Sequence, residues 1–181
     1  MRILYEVSSV GLGHAVRAKA VSRRLRELDG NTTVEFVAAE PALSYLKFWG
    51  EKVLDVSERL KSLSPIAEAS YSEGGLRISL SLALREYSII KNVETLFENI
   101  DLEKYDIIVG DEFWELLASN KINAPKPKVY ITDFISYLYK DPLNLPAALA
   151  INRYLKARIE AFDKNYTSAS SRLYRTKNGT W

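Results

Sequence analysis

The chain has 181 residues, 47% of them hydrophobic and 27% charged, with a formal net charge of +2. This composition is typical of one soluble globular domain with a core of its own. The charge balance excludes a strongly basic nucleic-acid binder, and the absence of cysteine excludes disulfides and thiol catalysis. The apolar run in MRILYEV is too short for a secretory leader or a membrane span, so we expect a cytoplasmic protein.

The first third of the chain alternates between strand and helix patterns. The sequence Asp29-Gly30-Asn31 is a helix stop signal after a run of helical periodicity. The predicted elements are a strand over 2–7, a helix over 14–28, a strand over 33–39, a helix from Pro41 to Gly50 and a strand over 52–56. This order is that of a doubly wound parallel sheet.

Residues 57–78 predict a long connection, because they contain Pro65, Gly74 and Gly75 among several serines. The elements predicted after it are a helix over 79–100, strands over 105–112 and 127–134 separated by the short helix FWELLASNK, a helix over 147–162 and a strand within KNYTSAS. We therefore expect an α/β, Rossmann-like domain with about six parallel strands over residues 1–168, followed by an irregular tail over 169–181.

Polar and glycine residues follow three of the predicted strands, in the segments Ser8–Gly13, Gly110–Glu112 and Thr132–Asp133. In open parallel sheets, ligands bind beyond the carboxyl ends of the strands, where the strand order reverses. The three segments are therefore predicted to converge on one crevice. The position of a crevice does not by itself indicate a function.

The stretch GLGHAVR carries the only histidine of the chain at the start of a predicted helix. Gly11 and Gly13 permit a tight turn, and the helix N-terminus favours a phosphate. The same partial positive charge disfavours an imidazolium, so we expect His14 to be neutral and able to accept a proton. Asp111 is the best-placed carboxylate to orient it as a general base, and Asp133 is second.

Plainer interpretations of the same residues stay open. His14 can simply bond a loop carbonyl, the two glycines can serve only strand–helix packing, and Asp111 and Glu112 can cap the short helix that follows them. The first helix also carries a basic face, which is more often solvated than phosphate-binding. Its members are Arg17, Lys19, Arg23, Arg24 and Arg26.

Other sites match the sequence less well. Val16 stands where the G-x-G-x-x-G dinucleotide pattern has its third glycine, although Glu40 is available for a ribose. With one histidine and no cysteine, the ligands of a metal would have to be mostly carboxylates, and we expect no metal site.

GLGHAVRAKAVSRRL resembles the start of the GT-B glycosyltransferases, above all a prokaryotic group with the pattern Gly-x-Gly-His-x-x-Arg. Three later segments are similar to segments of the MurG-like and UDP-glucuronosyltransferase-like enzymes: ASYSEGGLR, YDIIVGDE and KVYITDF. The resemblance covers roughly residues 1–168 and implies the N-terminal half of a GT-B fold. That half binds the acceptor, and a C-terminal half binds a nucleotide-sugar donor, often a UDP-sugar.

The resemblance also implies roles for site residues. His14 would deprotonate the acceptor hydroxyl and Asp111 would support it. The residues expected to bind substrate are Gly11, Gly13, Arg17, Glu112 and Asp133, with Arg17 adding a cation near the phosphates.

The resemblance implies a sugar or a lipid-linked sugar as the acceptor. A lipid-linked acceptor would require peripheral contact with the inner face of the membrane. The donor-binding residues of the family lie in a C-terminal domain beyond the matching region. We therefore expect the chain to need that domain as a partner, to lack turnover alone and to use no cofactor besides the donor. The face that would normally meet the second domain is open in the isolated chain, which favours a homodimer. The alternative is a non-catalytic nucleotide-binding or regulatory module for NAD, FAD or UDP.

Overall fold

A computed structural model of the chain describes residues 1–65, 76–119, 126–133 and 145–167. Its strands are β1 (Arg2–Val7), β2 (Thr33–Ala38), β3 (Ile107–Asp111), β4 (Lys128–Thr132) and β5 (Lys164–Thr167). Its helices are α1 (Gly13–Leu28), α2 (Ala42–Phe48), α3 (Leu76–Asn99), α4 (Trp114–Ala118) and α5 (Leu145–Glu160). Short 3-10 helices span Asp55–Arg59 and Leu102–Lys104.

The described strands form one parallel sheet in the order β2-β1-β3-β4-β5. The chain leaves β1 toward β2 on one side and later returns to β3 on the other. The order therefore reverses between β1 and β3, where Val7 pairs with Asp111. Ligands of doubly wound sheets bind at such a switch point.

Side chains alternate across the strands and fill two cores, one on each face of the sheet. Tyr5 and Phe36 belong to the core under α1 and α2, and their ring centroids lie 5.5 Å apart. Leu4 and Ile108 belong to the opposite core, together with Leu96 of α3. Helices on both faces explain why the strands are nearly continuous apolar runs.

Helix α1 ends where the sequence predicts. The Asp29 amide still donates to the Leu25 carbonyl at 3.0 Å, but the Asp29 carboxylate accepts from the Asn31 amide at 3.0 Å and the Thr32 hydroxyl at 2.8 Å. These local bonds compete with a further helical turn. The chain then enters β2 directly.

The α/β fold with a parallel sheet is confirmed, but the strand expected over 52–56 is wrong. Only Val53 forms a bridge to Phe36, and the chain then turns into the 3-10 helix Asp55–Arg59. The Ser57 hydroxyl accepts from the Ala38 amide at 3.3 Å, so a side chain occupies the edge of β2 that a strand would need. The described residues form five strands rather than six.

The remaining boundaries lie close to prediction. Helix α3 starts at Leu76 rather than at residue 79, and β5 comprises Lys164–Thr167 of the predicted KNYTSAS segment. Residues 66–75 of the expected connection, the proposed boundary at residue 168 and the tail over 169–181 lie outside the described residues.

A Gly110→Ala substitution is expected to destabilise the fold. The added Cβ would lie 2.9 Å from Leu116 Cδ2 and 3.1 Å from the Tyr130 ring, both of which are buried. Overpacking of this kind costs about 1–3 kcal/mol. Urea denaturation should show that loss for Gly110→Ala and a change below about 0.5 kcal/mol for Gly30→Ala, where the Cβ meets nothing within 4 Å. Equal losses in the two variants would contradict this packing.

Candidate functional site

The three segments predicted to converge do meet at one edge of the sheet. The Ser8 amide donates to the Asp111 carbonyl at 2.9 Å, which ties the end of β1 to the end of β3. The Glu112 amide donates to the Ile131 carbonyl at 2.9 Å, which ties β3 to β4. The loop entering α1 therefore lies directly beside the ends of β3 and β4.

The glycine loop, residues 8–13 between β1 and α1, turns at Gly11 and has open space beside both of its glycines. Gly11 has a φ of +76°, in the left-handed region that favours glycine. Gly13 begins α1, and a Cβ added to either glycine would meet no atom within 4 Å. The first amides of a helix have no intrahelical acceptors and carry partial positive charge. The space above this loop can therefore receive an anionic or polar ligand.

The Asp111 carboxylate is the centre of the site. Its side chain is fully buried, and it accepts hydrogen bonds from three other side chains. Oδ2 accepts from the Tyr5 hydroxyl at 3.2 Å and from Arg17 Nε at 3.0 Å. Oδ1 lies 3.0 Å from His14 Nδ1 and 2.5 Å from Arg17 Nη2. A buried carboxylate is tolerated when it is paired and hydrogen-bonded in this way.

The surroundings of His14 decide its tautomer. Nδ1 faces both Asp111 Oδ1 and Arg17 Nη2 at 3.0 Å. Arg17 Nη2 can only donate and would favour a bare Nδ1, but it already donates to Asp111 Oδ1 at 2.5 Å. The carboxylate can only accept, and its full negative charge attracts an Nδ1 proton and repels the lone pair of a bare Nδ1. We therefore assign the proton to Nδ1, which leaves Nε2 as the acceptor. Nε2 has no hydrogen-bond partner within the described ranges, and the side chain is 13% exposed.

Arg17 bridges two carboxylates. Besides its bonds to Asp111, its Nη1 donates to Asp133 Oδ1 at 2.5 Å. These hydrogen bonds, that to Asp111 first, raise the pKa of the guanidinium. The bonds to Asp111 and Asp133 use three of the five N–H donors of the guanidinium. The geometry thus gives Arg17 a positioning role, and its predicted contact with substrate phosphates stays a prediction.

Glu112 acts as a tie between strand ends in the structure. It adopts a φ of +49°, and its buried carboxyl accepts from the Thr132 hydroxyl and, at 2.6 Å, from the Asp133 amide. Burial raises the pKa of Glu112, and these hydrogen bonds oppose that rise. Asp133 is 42% exposed and is therefore the more accessible of the two residues for a substrate.

Two residues differ from what the sequence predicts. Tyr5 donates to Asp111, although no sequence pattern marks it as a site residue; its position two residues before the end of β1 is the signal that could have found it. Glu40 does not reach toward the glycine loop. Its carboxylate accepts from the Ser44 hydroxyl at 2.7 Å and the Ser44 amide at 3.3 Å, at the start of α2.

The basic face of α1 is only partly solvated, since Arg17 and Arg26 are bound to carboxylates whose side chains are little exposed. Arg23 and Arg24 both pair with Glu27 on the surface. Lys19 instead lies 3.5 Å from the centre of the Trp49 ring, beside a shallow groove of about 410 Å³. Phe48, which contacts Trp49, is 80% exposed. The residues that line this groove include neither His14 nor Asp111.

The described residues contain no group of three or more His, Cys, Asp and Glu side chains arranged to hold a metal. No helix among them has the length and apolarity needed to cross a membrane.

Asp111→Asn is expected to destabilise the chain far more than Asp133→Asn. The first substitution leaves part of the Arg17 charge without its buried partner and should cost about 3 kcal/mol. The second removes a half-exposed pair and should cost about 1 kcal/mol or less. Chemical denaturation of both variants measures the difference. Similar losses would mean that Asp111 is not the anchor of the array.

No family model and no curated protein matches the sequence. Among solved structures, the chain is similar to CalG4, the calicheamicin glycosyltransferase, with 14% identity and a TM-score of 0.51 over 83% of this chain and 36% of that one. It is also similar to MurG of Acinetobacter baumannii, with 13% identity and a TM-score of 0.45 over 81% of this chain and 38% of that one. The chain spans little more than a third of either structure. The likeness to CalG4 is one of fold, and this fold is consistent with one Rossmann-like half of the GT-B architecture.

Proposed function

We propose that the chain is the acceptor-binding half of a nucleotide-sugar-dependent glycosyltransferase. The observation that carries the proposal is the His14–Asp111 contact of 3.0 Å at the switch point of the sheet. A histidine oriented by a buried carboxylate is suited to take a proton from a hydroxyl group. The fold, which is similar to about a third of the CalG4 structure, supports an acceptor role for this crevice.

In the proposed reaction, His14 Nε2 takes the proton of an acceptor hydroxyl as the oxygen attacks the anomeric carbon of the donor sugar. The bond from that carbon to the nucleoside diphosphate breaks, and the diphosphate leaves with the bonding electrons. The imidazolium that forms lies 3.0 Å from the Asp111 carboxylate, which stabilises its charge. Arg17 keeps that carboxylate in place by bonding both of its oxygens.

The donor is proposed to be a UDP-sugar held mainly by a C-terminal domain, with no further cofactor. The amides at Gly11 and Gly13 are proposed to face its phosphates, because the space above them is open and the start of α1 favours negative charge. Asp133, as the exposed carboxylate of the array, is proposed to bind an acceptor hydroxyl.

The acceptor is proposed to be a sugar or a lipid-linked sugar met by a cytoplasmic protein at the membrane surface. The exposed Phe48 and Trp49, beside Lys19, support such contact. Aromatic and cationic side chains together favour the interfacial region of a bilayer.

The nucleotide-binding alternative has weaker support. Val16, in the place of the third glycine, is half exposed at the surface. Glu40, the candidate ribose ligand, has its carboxylate on Ser44. We therefore place the transferase interpretation first.

His14→Ala should lower kcat by about a hundredfold or more in a form of the protein that carries a donor-binding domain, because a general base contributes a factor of that order. Arg23→Ala is the matched control, since Arg23 lies on the same helix with its side chain 78% exposed, and it should keep normal turnover. A steady-state transfer assay compares the two.

Near-normal turnover of His14→Ala would remove His14 from the mechanism. Sugar transfer by the isolated chain would contradict its assignment as half of an enzyme. Calorimetric binding of NAD or FAD by the isolated chain would favour the nucleotide-binding alternative.

A further inference from the structure

A second set of acidic side chains lies on the opposite face of the sheet from His14. Glu6 of β1 is fully buried, and neither of its carboxyl oxygens has a hydrogen-bond partner among the described residues. Its backbone pairs with Val37 and Gly110, neither of which offers a polar side chain. A buried carboxyl without partners is costly when it is ionised, so this position requires a proton or a structural change.

Glu115 of α4 faces the same region and is also buried. Its carboxyl accepts from Asn92 Nδ2 at 2.7 Å. Asn92 is buried on α3 and holds both backbone groups of Lys61: its Nδ2 donates to the Lys61 carbonyl at 2.9 Å, and its Oδ1 accepts from the Lys61 amide at 2.8 Å. Glu115 is therefore joined through one amide side chain to the segment 60–64.

The same segment is bonded to the loop that precedes α1. The Leu63 amide donates to the Ser9 hydroxyl oxygen at 2.9 Å, and Leu63 is buried. Ser9 lies two residues before Gly11. The segment 60–64 thus connects Glu115, through Asn92, to the glycine loop at the edge of the sheet.

No described cation contacts either acid. The neighbours of the two acids are uncharged: Asn92 of α3 donates to Glu115, and Gly110 of β3 pairs with Glu6. The Lys61 ammonium lies over the Tyr87 ring, 5.4 Å from its centre. Burial raises the pKa of Glu6 to about 8, and the nearby charge of Glu115 adds to that rise. Burial raises the pKa of Glu115 to about 7 against the opposing hydrogen bond from Asn92.

We propose that Glu6 and Glu115 form a proton-dependent latch. While both carboxyls are neutral, the segment 60–64 stays bonded between α3 and the glycine loop. Ionisation places two like charges in a buried region without a cation, and opening of the segment admits water to them. The latch does not depend on the proposed transferase activity, although it acts on the loop that carries His14.

The direction of the pH dependence follows from the protons bound in each state. Both acids have a higher pKa in the closed state than in an open, hydrated one, so closing takes up protons. The closed state is therefore fully favoured below the ordinary pKa of glutamate. It loses that advantage as the pH rises through the raised values, about 7 for Glu115 and about 8 for Glu6.

Hydrogen exchange of the Lys61 and Leu63 amides in the intact chain tests the latch. After correction for intrinsic base catalysis, the opening equilibrium should rise between about pH 6 and pH 8, by up to about tenfold per pH unit for each of the two acids that releases its proton. Glu6→Gln should remove one of these two contributions and so make the rise shallower. Glu94→Gln, an exposed position on the same helix as Asn92, should retain it.

Glu115→Gln provides a second variant should Glu6→Gln fail to fold, and it should also make the rise shallower, because Gln still accepts from Asn92. Wild-type exchange with no pH dependence beyond the intrinsic rate would overturn the latch. A wild-type slope retained in both Gln variants, or retained in Glu115→Gln when Glu6→Gln does not fold, would overturn it as well.

Discussion

The candidate site depends on one buried carboxylate. Asp111 stands at the end of β3 with no exposure to solvent, where an unpaired charge would be strongly unfavourable. Its partners come from two other elements, Tyr5 from β1 and His14 and Arg17 from α1. The array therefore forms only when β1 and β3 are paired and α1 is packed on them. Assembly of the sheet and assembly of the site are one event.

This arrangement also explains why a single histidine can be held in a defined state. Asp111 Oδ1 binds the imidazole at Nδ1 while Arg17 binds both carboxylate oxygens, so the carboxylate has little freedom to rotate. Arg17 in turn binds Asp133, and Glu112 binds the Asp133 amide. Each strand end is thereby fixed to the next, which is the kind of preorganisation that general-base chemistry requires.

The sequence was sufficient for the α/β order, for the convergence of three strand ends and for the contact of His14 with Asp111. Those predictions rest on local patterns and on a general rule for parallel sheets. The strand at 52–56 failed because the edge of β2 is taken by the Ser57 hydroxyl, a contact between distant residues. The tie made by Glu112 and the isolation of Glu6 were out of reach for the same reason: they depend on register and on what the opposite helix presents.

The tautomer of His14 tests the central claim most directly, and the chain's single histidine makes the measurement unambiguous. Nitrogen chemical shifts of ¹⁵N-histidine-labelled protein should report a protonated Nδ1 and an unprotonated Nε2 in the wild type. Asp111→Asn should lose that preference, while a surface variant such as Arg23→Ala should keep it. A wild-type ring that is protonated at Nε2, with Nδ1 bare, would contradict the account, because the nitrogen left to accept a substrate proton would then face Asp111.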